Sequence, residues 1–349
     1  TISNNDIGAS PAGTPTKGIY GNGSTTNLNI ANSGINITNN NIHDIFLASG
    51  AAAFIYVNTG NTQWNISQNK LYQTTSRAFT GTSSFYYIYF SNSTYGEGVT
   101  IENNKIGYAA ADGTGTTTYT GTGASVYGIN ITFNSSASLP CNVNGNTIAN
   151  FACNQSGSGS FYGILNSTSS GSSTLNFNNN TIQNISSSTT GAFYGISWGS
   201  GFIISLSGNT IKDISKSASA TMYGMYSGSS SYTEQVNNNN VFNFTTTATS
   251  SSTLYGIYQL TTTTGTKSYN NNKVYNFNGS GGATIYGLRV GYGYDISMSN
   301  NEVHDLNSTG GTSATIYPYY ISSSVYGGKV SKNKGYNFST SGSTGVCYG

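Results

Sequence analysis

One three-residue signature constrains this chain more than any other feature: Asn, any residue, then an apolar residue. It occurs as Asn5-Asp6-Ile7, Asn40-Asn41-Ile42, Asn69-Lys70-Leu71, Asn104-Lys105-Ile106, Asn146-Thr147-Ile148 and Asn180-Thr181-Ile182. It continues as Asn209-Thr210-Ile211, Asn239-Asn240-Val241, Asn272-Lys273-Val274, Asn301-Glu302-Val303 and, degenerate, Asn333-Lys334-Gly335. The apolar positions lie 35, 29, 35, 42, 34, 29, 30, 33, 29 and 32 residues apart. A second signature falls between them: an apolar residue, Tyr, Gly, then Ile, Leu or Met. It is carried by Tyr127, Tyr162, Tyr194, Tyr223, Tyr255 and Tyr286, with partial or diverged copies at Tyr20, Tyr56, Tyr317 and Tyr348-Gly349. Two signatures held in one phase mark a repeat architecture, in which each repeat buries its apolar face only by stacking on its neighbours.

The repeats read as strands. Ahead of the Asn, apolar and polar residues alternate, as in Ile35/Ile37, Trp64/Ile66, Leu175/Phe177 and Ile204/Leu206. A period of two means one buried face. Short strands follow the Asn, the Tyr-Gly-Ile segment is a third, and Ser/Thr/Gly stretches between them read as loops, the longest at 109–124. Three short strands in about 30 residues predict one coil of a parallel β-helix, all-β, with ten to eleven coils stacked at about 4.8 Å. No composition shift interrupts residues 1–349, so the expectation is a single domain. Intrinsic disorder is the rival suggested by Gly, Ser, Thr and Asn; the regular return of Tyr, Phe and Ile argues against it.

Stacked coils turn each repeated position into a column. The Asn column (Asn40, Asn69, Asn104, Asn146, Asn180, Asn209, Asn239, Asn272 and Asn301) is expected to turn the chain, because Asn tolerates left-handed backbone, and to bond amide to amide along the axis. A second polar column runs through Asp44, Gln73, Asn150, Asn184, Asp213, Asn243, Asn276, Asp305 and Asn337. Asp exchanges there with Asn and Gln, so the position requires an acceptor and not an acid. The Tyr column is expected to point inward, sharing a face with Ile129, Ile164 and Ile196, while Asn130, Ser197 and Arg289 lie opposite. An outward Tyr row would instead be a sugar-stacking platform.

Only 6% of residues are charged, 12 Lys+Arg against 10 Asp+Glu. That leaves no basic surplus for nucleic acid. No apolar run approaches a membrane span. Counting by coils stacks Lys273, Glu302 and Lys334 as an exposed column worth about 0–1 kcal/mol per pair, and places Glu234 one coil from Lys267. His43-Asp44 and His304-Asp305 resemble dyads, yet about eight coils separate them, and Lys212, Phe242 and Tyr275 occupy equivalent places, as at a solvent-facing position. Three Cys cannot all pair: Cys141 and Cys153 flank one Asn bend, leaving a bridge open, and Cys347 has no evident partner. No Cys/His spacing implies a metal or cofactor.

The Asn-x-Ile and Tyr-Gly-Ile signatures resemble right-handed parallel β-helix repeats of the pectate-lyase-like superfamily. Phrases such as Asn179-Asn180-Thr181-Ile182-Gln183-Asn184-Ile185 and Phe193-Tyr194-Gly195-Ile196 are similar to long Bacteroidetes surface proteins that end in a type IX secretion sorting domain, which is absent here. Pectate lyases and polygalacturonases concentrate Asp with Arg or Lys on one outer face; lacking that constellation, this chain inherits no catalytic residue from the resemblance. The expectation is a non-enzymatic extracellular stalk, adhesin or fibre segment on a bacterial surface. The alternatives are a carbohydrate-binding or polysaccharide-cleaving β-helix, and a phage tail fibre. Partners would be neighbouring subunits, further domains of the same chain or polysaccharide. The chain begins beside an Asn bend and stops mid-coil without a cap, so it is also expected to be part of something longer.

Overall fold

The computed structural model describes residues 1–349 apart from 11–12, 134–137, 169–172, 202, 229–232, 261–264, 323–324, 343 and 349. Gly349 of the last Tyr-Gly copy therefore lies outside the described residues. The chain is an all-β parallel solenoid of about 10 turns, with about 32 residues and three strands per turn. The first sheet runs through 11 strands from Ile2–Ser3 to Val325–Ser331. The second runs from Asp6–Ile7 to Lys334–Thr340, and the third from Lys17–Gly21 to Val346–Cys347. A 3-10 turn at Leu28–Ile30, capped by the Asn27 side chain, is the one helical element among the described residues.

The coil Thr174–Asn178, Thr181–Ser187, Phe193–Trp198 shows why the pattern folds this way. Leu175 and Phe177 alternate inward along the first strand, and Ile182, Ile185, Phe193 and Ile196 close the core. The first corner is made by Asn179, whose φ of 57° is left-handed. This corrects the expected division of labour. The turning residue precedes the buried Asn in every coil, as Asn39, Gln68, Asn103, Gly145, Gly208, Asn238, Asn271, Asn300 and Lys332 also show. The buried Asn does something else.

Two kinks then shift the alternation. In the second sheet the Asp44 column is itself left-handed, with φ of 54–60° at Asp44, Asn150, Asn184, Asp213, Asn243, Asn276, Asp305 and Asn337. Each kink turns two adjacent residues outward, Gln183 and Asn184 in this coil, before Ile185 returns to the core. Asn and Asp tolerate this backbone best among residues with a Cβ. In the third sheet the kink has the opposite sense: Gly195 and Ile196 both face inward. A Cβ on Gly195 would sit under 3 Å from the Gly224 carbonyl of the next coil and from Ile211. Only Gly fits there.

The stretch read as the longest loop contains a strand instead. Thr117–Thr122 pairs in parallel with Arg77–Phe79 and with Thr147–Ser156, widening the second sheet locally. The alternation of the buried Thr117 and Tyr119 with Thr118 and Thr120 carried that signal within a Thr/Gly-rich run. Behind it the core is aromatic, and Tyr87 and Tyr119 bond hydroxyl to hydroxyl at 2.8 Å.

Candidate functional site

Among the described residues the solenoid carries a continuous internal Asn column and a long external Tyr column, and the candidate sites lie along and beside them. Inside, the backbone N–H and the side-chain Nδ2 of each Asn both donate to Oδ1 of the next, from Asn5 to Asn333, at 2.8–3.1 Å. The remaining Nδ2 hydrogen goes to a first-sheet carbonyl; for Asn180 it is Val143 O at 2.8 Å. Each amide in the middle of the row is thus saturated as donor and acceptor. From Asn40 to Asn301 the column is buried and offers nothing to a ligand; only its end members, Asn5 and Asn333, reach the surface.

Outside, the Tyr column overturns the expected direction. Val126, Phe161, Phe193, Met222, Leu254 and Ile285, each preceding its Tyr, are the core residues. Tyr127, Tyr162, Tyr194, Tyr223 and Tyr286 are half-buried on the outer surface, with Tyr255 more covered. The reason is the glycine kink, which brings both Gly and Ile inward and so breaks the simple alternation that paired Tyr with Ile. Asn130, Ser197 and Arg289 lie on the Tyr side and form an adjacent column. Tyr20 belongs to that adjacent column too, stacked with Tyr56 and Tyr89; its place in the main column is taken by Lys17.

From Tyr86 to Tyr348 the rings stack in eight successive steps of 4.6–5.0 Å. Beyond the first step the interplanar angles are 1–10°. Ring faces are covered by other rings, burial pushes the phenols of Tyr194 and Tyr286 up, and the Tyr255 hydroxyl accepts from Arg289 Nη1 at 3.1 Å. A sugar-stacking platform needs an open face, which this row does not present along its length. Arg289 inserts beside it, with its guanidinium 4.6 Å from the Tyr258 ring centre and 4.9 Å from those of Tyr286 and Tyr320. Beside the row lies a hollow of about 280 Å³ lined by Leu165, Asn166, Ser197, Trp198 and neighbouring turns.

The charged residues are held by one another. Asp44 accepts from Arg77 Nη2 at 2.5 Å, Thr74 Oγ1 at 2.7 Å and Thr74 N at 3.0 Å, and pairs with His43 Nδ1 at 2.9 Å. Burial alone would raise its carboxyl; the hydrogen bonds from His43 and Thr74, with Arg77, hold it below the ordinary value. His43 Nε2 faces Asp6 at 3.3 Å, so both ring nitrogens meet carboxylates. This cluster of Asp6, His43, Asp44 and Arg77 joins three coils, which the sequence reading did not anticipate because Arg77 lies outside both signatures. His304 is one ring in a second aromatic stack, Phe242–Tyr275–His304–Tyr336, at 4.7–4.9 Å. Its position is therefore aromatic, not merely solvent-facing. Glu302 pairs with Lys273 at 3.2 Å and accepts the Tyr336 hydroxyl at 2.8 Å.

Two buried cationic positions went unread as such. Glu234 and Lys267 are register partners as expected, but both are 0% exposed. Lys216 is buried too, donating to Ser187 Oγ at 3.1 Å and Thr189 Oγ1 at 3.4 Å. Burial draws its amine down to about 8. The period-two step from Ile214 to Lys216 was the available signal.

Cys141 and Cys153 are buried free thiols on different sheets, and no bridge joins them. Burial pushes both up to about 12. Cys347 is exposed and free. Among the described residues no group of three or more His, Cys, Asp or Glu is placed to hold a metal, and no helix is long and apolar enough to cross a membrane. No protein-family model, curated protein or solved structure matches the chain.

Proposed function

We propose that this chain is a non-enzymatic extracellular solenoid, a stalk, adhesin or fibre segment on a bacterial surface, whose external Tyr column is a contact strip. The observation that carries the reading is the pairing of that strip with the Asn column. A scaffold satisfied coil by coil through backbone and amide bonds needs no ligand, metal or cofactor for its stability, and it carries a straight row of half-buried Tyr rings along one face. Most carboxylates already serve local bonds, as Asp44, Asp305, Glu234, Glu302 and Glu97 do. The likeness of its Asn-x-Ile phrases to Bacteroidetes surface proteins favours export by the type IX route and a pectate-lyase-like ancestry. Antibody labelling of intact producing cells tests the reading; signal that emerges only after permeabilisation would overturn it.

A second reading, binding of a neutral polysaccharide, is favoured by the hollow flanking the Tyr row. Asn166, Thr168 and Ser197, which line the hollow, would engage hydroxyls there by hydrogen bonding, with the neighbouring Tyr162 and Tyr194 rings as its border, rather than by ring stacking. Affinity electrophoresis in gels cast with neutral polysaccharides is the check. Retardation that is lost in Tyr162→Ser/Tyr194→Ser would support this reading, and unretarded wild type would remove it.

A further inference from the structure

One internal column of the first sheet reads Cys141, Leu175, Ile204, Glu234, Lys267, Ile296, each the register partner of the next. Four apolar residues frame an acid and an amine that no water reaches, both at 0% exposure, with Nζ 3.5 Å from Glu234 Oε1. The carboxyl is gripped from two sides. Tyr269, itself fully buried, donates its phenol to Oε2 at 2.7 Å, and Ser227 donates to Oε1 at 3.0 Å. Bringing two full charges into such a column costs several kcal/mol per ion, and apolar residues of similar size pack there in the adjoining coils. Burial also holds the Lys267 amine below its ordinary value, against the opposing pull of Glu234. An amine 3.5 Å from a doubly hydrogen-bonded carboxyl, in a dry site where neither can move away, is arranged for acyl transfer.

We propose that Lys267 and Glu234 condense into an intramolecular amide that staples two successive coils through the core. The Nζ lone pair adds to Cδ of the carboxylic acid. Ser227 Oγ bonds the oxygen that becomes the amide carbonyl. The other oxygen, Oε2, leaves as water after taking a proton from the Tyr269 phenol, which is restored by the proton that Nζ gives up. The Nζ–Cδ bond forms, the Cδ–Oε2 bond breaks, one water is released, and nothing is oxidised or reduced. The product has no charge to desolvate, and its carbonyl keeps the Ser227 donor. The proposal is independent of what the outer surface binds.

Peptide mapping of the denatured, digested chain is the test. The expected result is a branched peptide joining the Glu234 and Lys267 segments, about 18 Da lighter than its two linear components together, with trypsin unable to cut after Lys267. The intact mass of Lys267→Met should show no such deficit. Linear peptides at full mass, with cleavage after Lys267, would overturn the proposal. So would a water loss that persists in Lys267→Met, because it would belong to another site.

Discussion

The Asn and Tyr columns repeat with the same period, the Asn column from Asn5 to Asn333 and the Tyr column from Tyr86 to Tyr348, below which Ala53 and Lys17 hold its place. They do opposite things. The Asn amides are buried and answer one another as donors and acceptors, so each depends on both neighbours for polar groups that water cannot reach. The Tyr rings are half-exposed and answer one another through their faces, so a missing ring forfeits contact while its neighbours gain water. Repetition therefore says that positions are equivalent. It does not say which way they point or what they would lose.

The largest effect that tests this contrast is Asn180→Ala. It removes the acceptor of Asn146 N and Nδ2 and the donor to Val143 O. The expected loss is about 2–5 kcal/mol in chemical denaturation, from buried groups left unpaired. A cost no greater than that of Thr181→Ala would break the ladder argument.

Lys216 is a buried amine whose register partners, Ser187 and Thr246, are small hydroxyl residues, and it should behave in the opposite sense. Its amine is held at about 8 against an ordinary 10.5. Below pH 8 both folded and unfolded chains are protonated and the folded state carries the full penalty; between 8 and 10.5 the unfolded chain binds more protons, so rising pH relieves it. Lys216→Met is expected to gain about 3 kcal/mol at neutral pH, and its advantage over wild type should shrink as pH rises through that window. An advantage that is flat with pH would show that burial does not pull the amine below its ordinary value.

Smaller effects belong to the outside. Tyr194→Ala breaks stacks on Tyr162 and Tyr223, for an expected loss of about 1–3 kcal/mol. Tyr194→Phe keeps both stacks and should stay within about 0.5 kcal/mol of wild type. Equal losses for the two variants would shift the weight from the ring to the hydroxyl. Thr181→Ala, on the half-buried outer face of its strand, should cost about 0.5 kcal/mol or less by thermal unfolding.

The same contrast explains what could be read in advance. The Asn column was legible because its residue type, spacing and phase all follow from stacking, and stacking is implied by the period alone. Glu234 beside Lys267 was legible for the same reason, since register partners follow from coil counting. Its burial followed from the same register, since Ile204 and Ile296 on the buried face are the flanking partners, but it went unread because charged residues are rarely placed in a core. Arg77 on Asp44 escaped because it comes from an added strand outside the repeat. Tyr119 escaped because its strand hides in a Thr/Gly-rich run.

By itself, the sequence determined the all-β coil, the number of strands in it, the columns and their partners, since backbone pairing between equivalent segments is satisfied in one parallel stacking alone. Direction was decided by the tertiary structure. A left-handed residue before each buried Asn, a left-handed Asp or Asn within the second strand, and a Gly pressed against the next coil's carbonyl each displace the alternation by one residue. A one-residue displacement moves a side chain from core to solvent. Only close packing between neighbouring coils fixes where those displacements fall, and so it is packing that put Tyr194 outside and Phe193 inside.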